Sequence, residues 1–333
     1  MKTTNLLFIL FFSFILSACG GGGDDDDSES TSTTYNSAAS EGELLEYKID
    51  ETKLTYSYEI KSSAYGLEGS TGSGTLTKNP DGTYTPSSAI NARVLMLPNK
   101  VLIGATTLRI NGVDKFTLIA GVPEVDNVQF SDIAGTYNYV GLQCLSANCA
   151  NYTSLYGTYN IDSSGNWVEC TYSDYTASPS NCSGRDSGTL NSLDDGRFQI
   201  VSGATNFGTG MFYHSPAGQK VMVVDLKDYF GGYGRGMLFG APQRFATFGT
   251  EMDGNYYWNT SDGSNGGNGT IVVSGDTATF PGGSPNTMIA NTPWNGFNEV
   301  LNGYGMLADE GIYMWVPKIG FGDTFMTIGV KEQ

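Results

Sequence analysis

The chain has 333 residues, of which 45 are glycine, 20 tyrosine and 17 phenylalanine, while only 15% are charged. Short runs rich in Thr, Tyr, Val and Ile, bounded by Gly, Asn, Asp and Ser, exclude a helical bundle and point to an all-β chain built from hairpins. A formal charge of −17 without a clustered Lys/Arg stripe excludes nucleic acid as a partner, because such a surface repels phosphate backbones.

Residues 1–18 carry one basic residue, an apolar run from Leu6 to Leu16 and then small residues. The run is short for a membrane span and reads as a signal peptide. Its end, Leu16-Ser17-Ala18-Cys19, resembles the lipobox of bacterial lipoproteins at all four positions. The resemblance implies that the Cys19 thiol receives a diacylglyceryl group, that the signal is cut before it, and that the new amino end is acylated by a palmitate-type chain. The membrane is then a partner through a lipid anchor. Gly20 stands where an Asp would imply inner-membrane retention, so the family rule implies the outer membrane. Both the periplasmic and the cell-surface face stay open.

GGGGDDDDSES and the residues after it have little to bury, so 19–41 read as a disordered Gly/Asp/Ser tether. Asp24–Asp27 lack the fixed carbonyls and alternating spacing of a calcium loop.

The body repeats itself. SGTLTKNPDGTY (73–84) returns as SGTLNSLDDGRF (187–198). RVLMLPN (93–99) is answered by GMFYHSP (210–216), KVLIGATTL (100–108) by KVMVVDLKD (220–228), and FTLIAGVP (116–123) by RGMLFGAP (235–242). A more diverged third copy offers NGTIVV (268–273), GDTATF (275–280), YGMLAD (304–309), GIYMWVPK (311–318) and TFMTIGVK (324–331). The copies are opened by LTYSYEI (54–60), GTYNYVG (135–141) and GNYYWN (254–259). Asp-Gly supplies the positive φ that tight hairpin turns need. The expected architecture is three tandem antiparallel meanders of about six strands each, at 42–125, 126–245 and 246–333. They should form small sandwiches or partly closed barrels, with Pro123 and Pro242 near the boundaries.

On this alignment the second copy carries about 33 extra residues, at about 142–185, holding Cys144, Cys149, Cys170 and Cys182. An even cysteine count in an exported chain reads as two disulfides rather than zinc. Three pairings are open, of which 144–149 with 170–182 is preferred. The same stretch gathers Tyr152, Tyr156, Trp167, Tyr172 and Tyr175, and the loop 281–297 adds Trp294. These rings are the candidate binding surface for a protein or glycan, and they would serve equally as a small core beneath the insertion.

Chemistry is sparsely signalled. His214 is the only histidine, no Gly-x-Ser-x-Gly stretch accompanies it, and no metal motif can be made from one His. No Walker loop or dinucleotide fingerprint is present, so no catalytic residue, metal or cofactor is assigned. The expected function is a non-enzymatic outer-membrane lipoprotein whose β body serves adhesion, ligand capture or envelope assembly. The alternative is an anchored polysaccharide hydrolase using paired carboxylates, for which a convergent Asp/Glu pair in a Tyr/Trp-lined cleft would be the mark.

Overall fold

The structure, a computed structural model, describes residues 32–80, 82–87, 94–97, 101–146, 149, 151–214, 220–227, 234–249, 252–263, 265–308, 311–318 and 324–332. The expected signal peptide, Cys19 and the expected tether up to residue 31 lie outside the described residues. The chain is nearly all β, in three antiparallel sheets. The first contains β1 (Ser32–Ala39), β2 (Leu44–Asp50), β3 (Thr55–Ser62), β4 (Thr71–Lys78), β5 (Tyr84–Pro86), β6 (Leu95–Leu97), β7 (Val101–Ile110) and β8 (Val113–Pro123). Each strand pairs with the next except β5 and β6, and β8 returns to β1. A single bridge, Tyr84 to Val94, spans the remaining gap.

A short helix, α1 (Phe130–Ile133), leads into the second sheet. Its strands are β9 (Gly135–Cys144), β10 (Tyr152–Ile161), β11 (Asn166–Thr171), β12 (Arg185–Ser192), β13 (Arg197–Ser202), β14 (Thr205–His214), β15 (Lys220–Leu226) and β16 (Arg235–Pro242). This sheet is a closed up-and-down barrel, β16 pairing with β9. The third sheet comprises β17 (Gly254–Ser261), β18 (Gly266–Ser274), β19 (Thr277–Thr279), β20 (Pro285–Thr287), β21 (Ile289–Ala290), β22 (Phe297–Val300), β23 (Gly303–Ala308), β24 (Ile312–Pro317) and β25 (Met326–Lys331). Here β25 returns to β17, and the two edges, β20 and β21, are joined by Met288 alone. They are the halves of one interrupted strand, so this unit too runs once around a barrel.

Each unit therefore has about eight strand positions, not six. The repeated SGTL lies where the alignment puts it: Thr75 pairs with Thr55 and Thr189 with Asn166, both on the fourth strand at the start of the third. The sixth, seventh and eighth strands also correspond in all three units. The opening strand does not. By sheet position the counterpart of GTYNYVG on β9 is STTYNSAA on β1, which the sequence reading assigned to the tether. LTYSYEI is the third strand of its unit, and NGTIVV is a second strand. Residues 32–39 are thus ordered barrel wall, 40–41 begin the first turn, and with Tyr35 aligned to Tyr137 the apparent insertion of about 33 residues shrinks to about 12.

Glycine is abundant because the barrels are tight. On adjacent strands Tyr58 faces Gly72, Tyr56 faces Gly74, Trp167 faces Gly188 and Trp258 faces Gly269. A Cβ on Gly72 would stand 2.5 Å from the Tyr58 ring, and one on Gly269 2.9 Å from the Trp258 indole. The ring takes the space that the missing side chain leaves.

Four apolar cores result. Each barrel has its own interior: Tyr35, Leu45, Ile49 and Ile119 in the first; Tyr139, Trp167, Phe198 and Phe212 in the second; Tyr256, Ile271, Tyr313 and Trp315 in the third. The fourth is shared and joins outward-facing residues of all three, among them Ile103, Ala120, Leu142, Val223, Phe239, Met314 and Ile328. β1 and β8 pack on β14–β16, β9, β10 and β16 pack on β23–β25, and β17 and β25 return to β7 and β8. The three barrels close a ring. Seam strands such as β9, β16 and β24 are consequently buried on both faces, whereas β4 and β12 keep an exposed face.

Candidate functional site: the barrel junction and the first barrel's pocket

The six aromatic candidates do not form one surface. Trp167 is only 1% exposed and stacks on Tyr159 inside the second barrel, with ring centroids 5.4 Å apart, so it belongs to no surface. Tyr156, Tyr172 and Trp294 meet at the seam of the second and third barrels. Tyr156 lies 5.1 Å from Tyr172, 6.0 Å from Trp294 and 4.7 Å from Tyr304. The Trp294 indole donates to Asn138 Oδ1 at 3.0 Å. Tyr175 is half-buried, held through its backbone N–H to Thr158 Oγ1 at 2.7 Å. Tyr152 is drawn into the junction described next. Three of the six, Tyr152, Tyr156 and Trp294, hold barrel to barrel.

The cysteines pair as preferred, Cys144 with Cys149 and Cys170 with Cys182. They staple the β9–β10 and β11–β12 connections, with Cys144 and Cys170 on barrel strands rather than on a separate projection. His214 ends β14 and is exposed.

The polar junction was not visible in the sequence. The turn Ser40-Glu41-Gly42-Glu43 joins β1 to β2 and drives two carboxyls into the meeting point of the barrels, both 0% exposed. Gly42 has φ +86°, and a Cβ there would lie 2.8 Å from Arg235 Cβ, so the tight turn and the close approach both require glycine. Tyr152, from the second barrel, donates its phenol proton to Glu41 Oε2, and Ser40 Oγ donates to Glu41 Oε1 at 3.3 Å. Ser63 Oγ donates to Glu43 Oε1 at 3.2 Å. Cations lie over both neighbouring phenols: Lys115 Nζ is 5.7 Å from the Tyr152 ring centre, and the Arg235 guanidinium is 5.1 Å from that of Tyr65. The third barrel contributes Gly263, against which the Tyr152 ring lies so closely that a Cβ would clash at 2.2 Å.

Burial raises Glu41 to about 7 against the partial relief from Tyr152 and Lys115. Burial also pushes Glu43 to about 8, with the charges of Asp225 and Glu41 adding to it. Asp225, on β15 and 0% exposed, is raised by burial to about 7, and neither of its carboxyl oxygens has a hydrogen-bond partner among the described residues. These acids hold their protons near neutrality because water is excluded. They form a sealed hub rather than a cleft, and among the described residues no group of acids, histidines and cysteines is arranged to hold a metal ion.

A different feature opens to the outside. Inside the first barrel, Tyr47, Ile49, Tyr56, Tyr58, Leu76, Leu102 and Ile119 line a small apolar recess with a cavity volume of about 30 Å³. It lies where three-residue β6 pairs with only Val101–Ile103 of ten-residue β7. Two larger features differ in kind: a slot of about 100 Å³ at the second and third barrels beside Asn138, Arg244 and Gly296, and an open outer groove of about 430 Å³ along Lys48, Asp50 and Ser73.

Among the described residues no helix is long and apolar enough to cross a membrane. No family model and no curated protein matches the chain. A solved structure of a protein of unknown function from the DUF3598 family of Nostoc punctiforme PCC 73102 aligns with 63% of this chain and 93% of its own length, at 13% identity and a TM-score of 0.25.

Proposed function

We propose that this protein is a lipid-anchored outer-membrane lipoprotein whose three-barrel body binds a ligand or partner and performs no chemistry. The reading rests first on Leu16–Cys19, whose lipobox pattern places an acylated cysteine only twelve residues before β1. What supports the binding half is the apolar recess in the first barrel, lined by Tyr47, Tyr58, Leu76, Leu102 and Ile119. What weighs against paired-carboxylate hydrolysis is that the acid group found to converge among the described residues, Glu41 with Glu43, is 0% exposed and lines none of the pockets described above.

Fractionation tests the anchor. Cys19→Ser should leave the signal uncleaved or release the protein from the outer-membrane fraction. Correct processing together with normal outer-membrane retention would refute it. For the second half, purified protein should release no reducing ends from envelope polysaccharides, and a release that Glu41→Gln abolishes would restore the hydrolase.

A further inference from the structure

Two acids from different barrels meet at the seam of the first and second. Glu43 stands on the β1–β2 turn of the first barrel and Asp225 on β15 of the second, and both are 0% exposed. Glu43 accepts one bond, from Ser63 Oγ to Oε1. Its Oε2 and both oxygens of Asp225 have no hydrogen-bond partner among the described residues. A carboxylate there would be charged, dry and unsatisfied, a state that the protonated acid avoids. Glu41 differs, because Tyr152 and Ser40 both donate to it.

The surroundings ease these acids only in part. Around Glu43 stand Arg235 of β16, Glu41 and Tyr65; around Asp225 stand Arg197 of β13 and Lys227; around Glu41 stand Lys115 of β8, Tyr152 of β10 and Asp262 after β17. The cations are engaged by other groups. The Arg235 guanidinium lies over the Tyr65 ring, Lys115 Nζ donates to the Cys149 carbonyl at 3.3 Å, and Arg197 Nε donates to Asp195 Oδ2 at 2.7 Å. Burial accordingly still raises Glu43 to about 8 and Asp225 to about 7. No strand pairing joins the two barrels, whose apolar contact sets Ala38, Leu44 and Ala120 with Val221, Val223 and Met237.

We infer that this seam is a pH-controlled joint, shut while Glu43 and Asp225 keep their protons and loosened when they lose them. Opening hydrates the two carboxyls and returns them to their ordinary range, 4.5 and 3.8. Between that range and the values of the shut seam, the open form has released protons that the shut form holds. Rising pH therefore favours opening, by up to about tenfold per pH unit for each acid, until the shut form ionises as well. Each barrel keeps its own interior throughout. The joint needs neither the lipid anchor nor a ligand, so its failure leaves the proposed function standing.

The test uses the chain from Gly20 onward, which retains the whole compact unit Thr31–Gln333 and has no cysteine outside its two disulfides. Ala38→Cys puts a thiol in the seam and Ala278→Cys one inside the third barrel, both at positions 0% exposed. Alkylation by N-ethylmaleimide is followed at pH 5.5 and 8.5, each rate divided by that of the urea-unfolded variant at the same pH. The corrected rate at Ala38→Cys should rise about a hundredfold, while that at Ala278→Cys changes by about threefold or less. Adding Glu43→Gln or Asp225→Asn, whose amides have no proton to lose in this range, should each cut the rise about tenfold. If Ala38→Cys fails to fold, Ala120→Cys on β8 reports the same seam, and if Asp225→Asn fails, Glu43→Gln decides. No rise at the seam, an equal rise at Ala278→Cys, or a full rise that survives Glu43→Gln would each overturn the joint.

Discussion

Asn138 and Trp294 are locked together across the seam of the second and third barrels. The indole Nε1 donates to Asn138 Oδ1 at 3.0 Å, and Asn138 Nδ2 donates to the Asn295 carbonyl at 2.8 Å. The first barrel repeats the device one unit earlier, since Asn36, the corresponding residue of β1, points Nδ2 at the Asp195 carbonyl of the second barrel at 3.4 Å. In each case the asparagine follows the tyrosine of the opening strand and faces out of its own barrel.

Asn138→Ala would remove the part-buried bonds to the Asn295 carbonyl and the Trp294 indole N–H, at a cost of about 1–2 kcal/mol. Asn36→Ala, with a longer bond, should cost about 1 kcal/mol or less. Urea unfolding of the two variants checks the order. A double-mutant cycle of Asn138→Ala with Trp294→Phe should show coupling of about 1 kcal/mol, and additivity would deny the link.

The junction acids set the pH dependence. Glu41, Glu43 and Asp225 ordinarily titrate at 4.5, 4.5 and 3.8, and burial raises them to about 7, 8 and 7. Between those limits the folded protein holds protons that the unfolded chain has released. Their contribution therefore falls as pH rises, and the loss is complete once the folded values are passed. The melting temperature should decline from pH 5.5 to 8.5. Glu43→Gln, which needs no proton, should match the native protein near pH 5 and exceed it by a few kcal/mol or less at pH 8.5. A native curve that is flat or rising across this window would contradict the sealed junction.

Two strand glycines should behave oppositely on substitution. A Cβ at Gly188 would meet the Val201 carbonyl oxygen at 1.8 Å, and backbone of the next strand cannot step aside. One at Gly74 meets the Ser87 hydroxyl at 2.5 Å and the Tyr56 phenol at 2.8 Å, both ends of side chains that can rotate. Gly188→Ala should cost on the order of 3 kcal/mol or abolish folding, and Gly74→Ala about 1 kcal/mol. Thermal melts of the pair would settle the contrast, and equal losses would speak against the packing described.

Reduction of the disulfides should be felt by the second barrel itself. Were the cysteines on a projection, reduction would leave the main transition intact. Because Cys144 ends β9 and Cys170 lies within β11, each bridge ties barrel strands, with loop-closure stabilisation of roughly 2–3 kcal/mol. Reduced protein should melt several degrees lower, with hydrogen exchange raised along β9–β12 and not only in the connecting loops. Exchange confined to the loops would restore the picture of a separate stapled hairpin.

How much was legible depended on how local the signal was. Hairpin chemistry is written in short stretches, so the Asp-Gly turns, the repeat and the equivalence of Thr75 with Thr189 could be read directly, as could the preferred cysteine pairing. The phase of the repeat could not. TTYN at 33–36 is polar enough to pass for a tether, and only pairing of β1 with β8 and β2 buries it. Losing that strand shifted the first copy by two positions and inflated an insertion of about 12 residues to about 33. Glu41 was counted among the solvated acids of the tether for the same reason, although three barrels enclose it. Alternation along a strand reports one buried face. Whether the second face meets water or another barrel is decided by how the barrels pack, and that turned Tyr156 and Trp294 from a candidate surface into a seam.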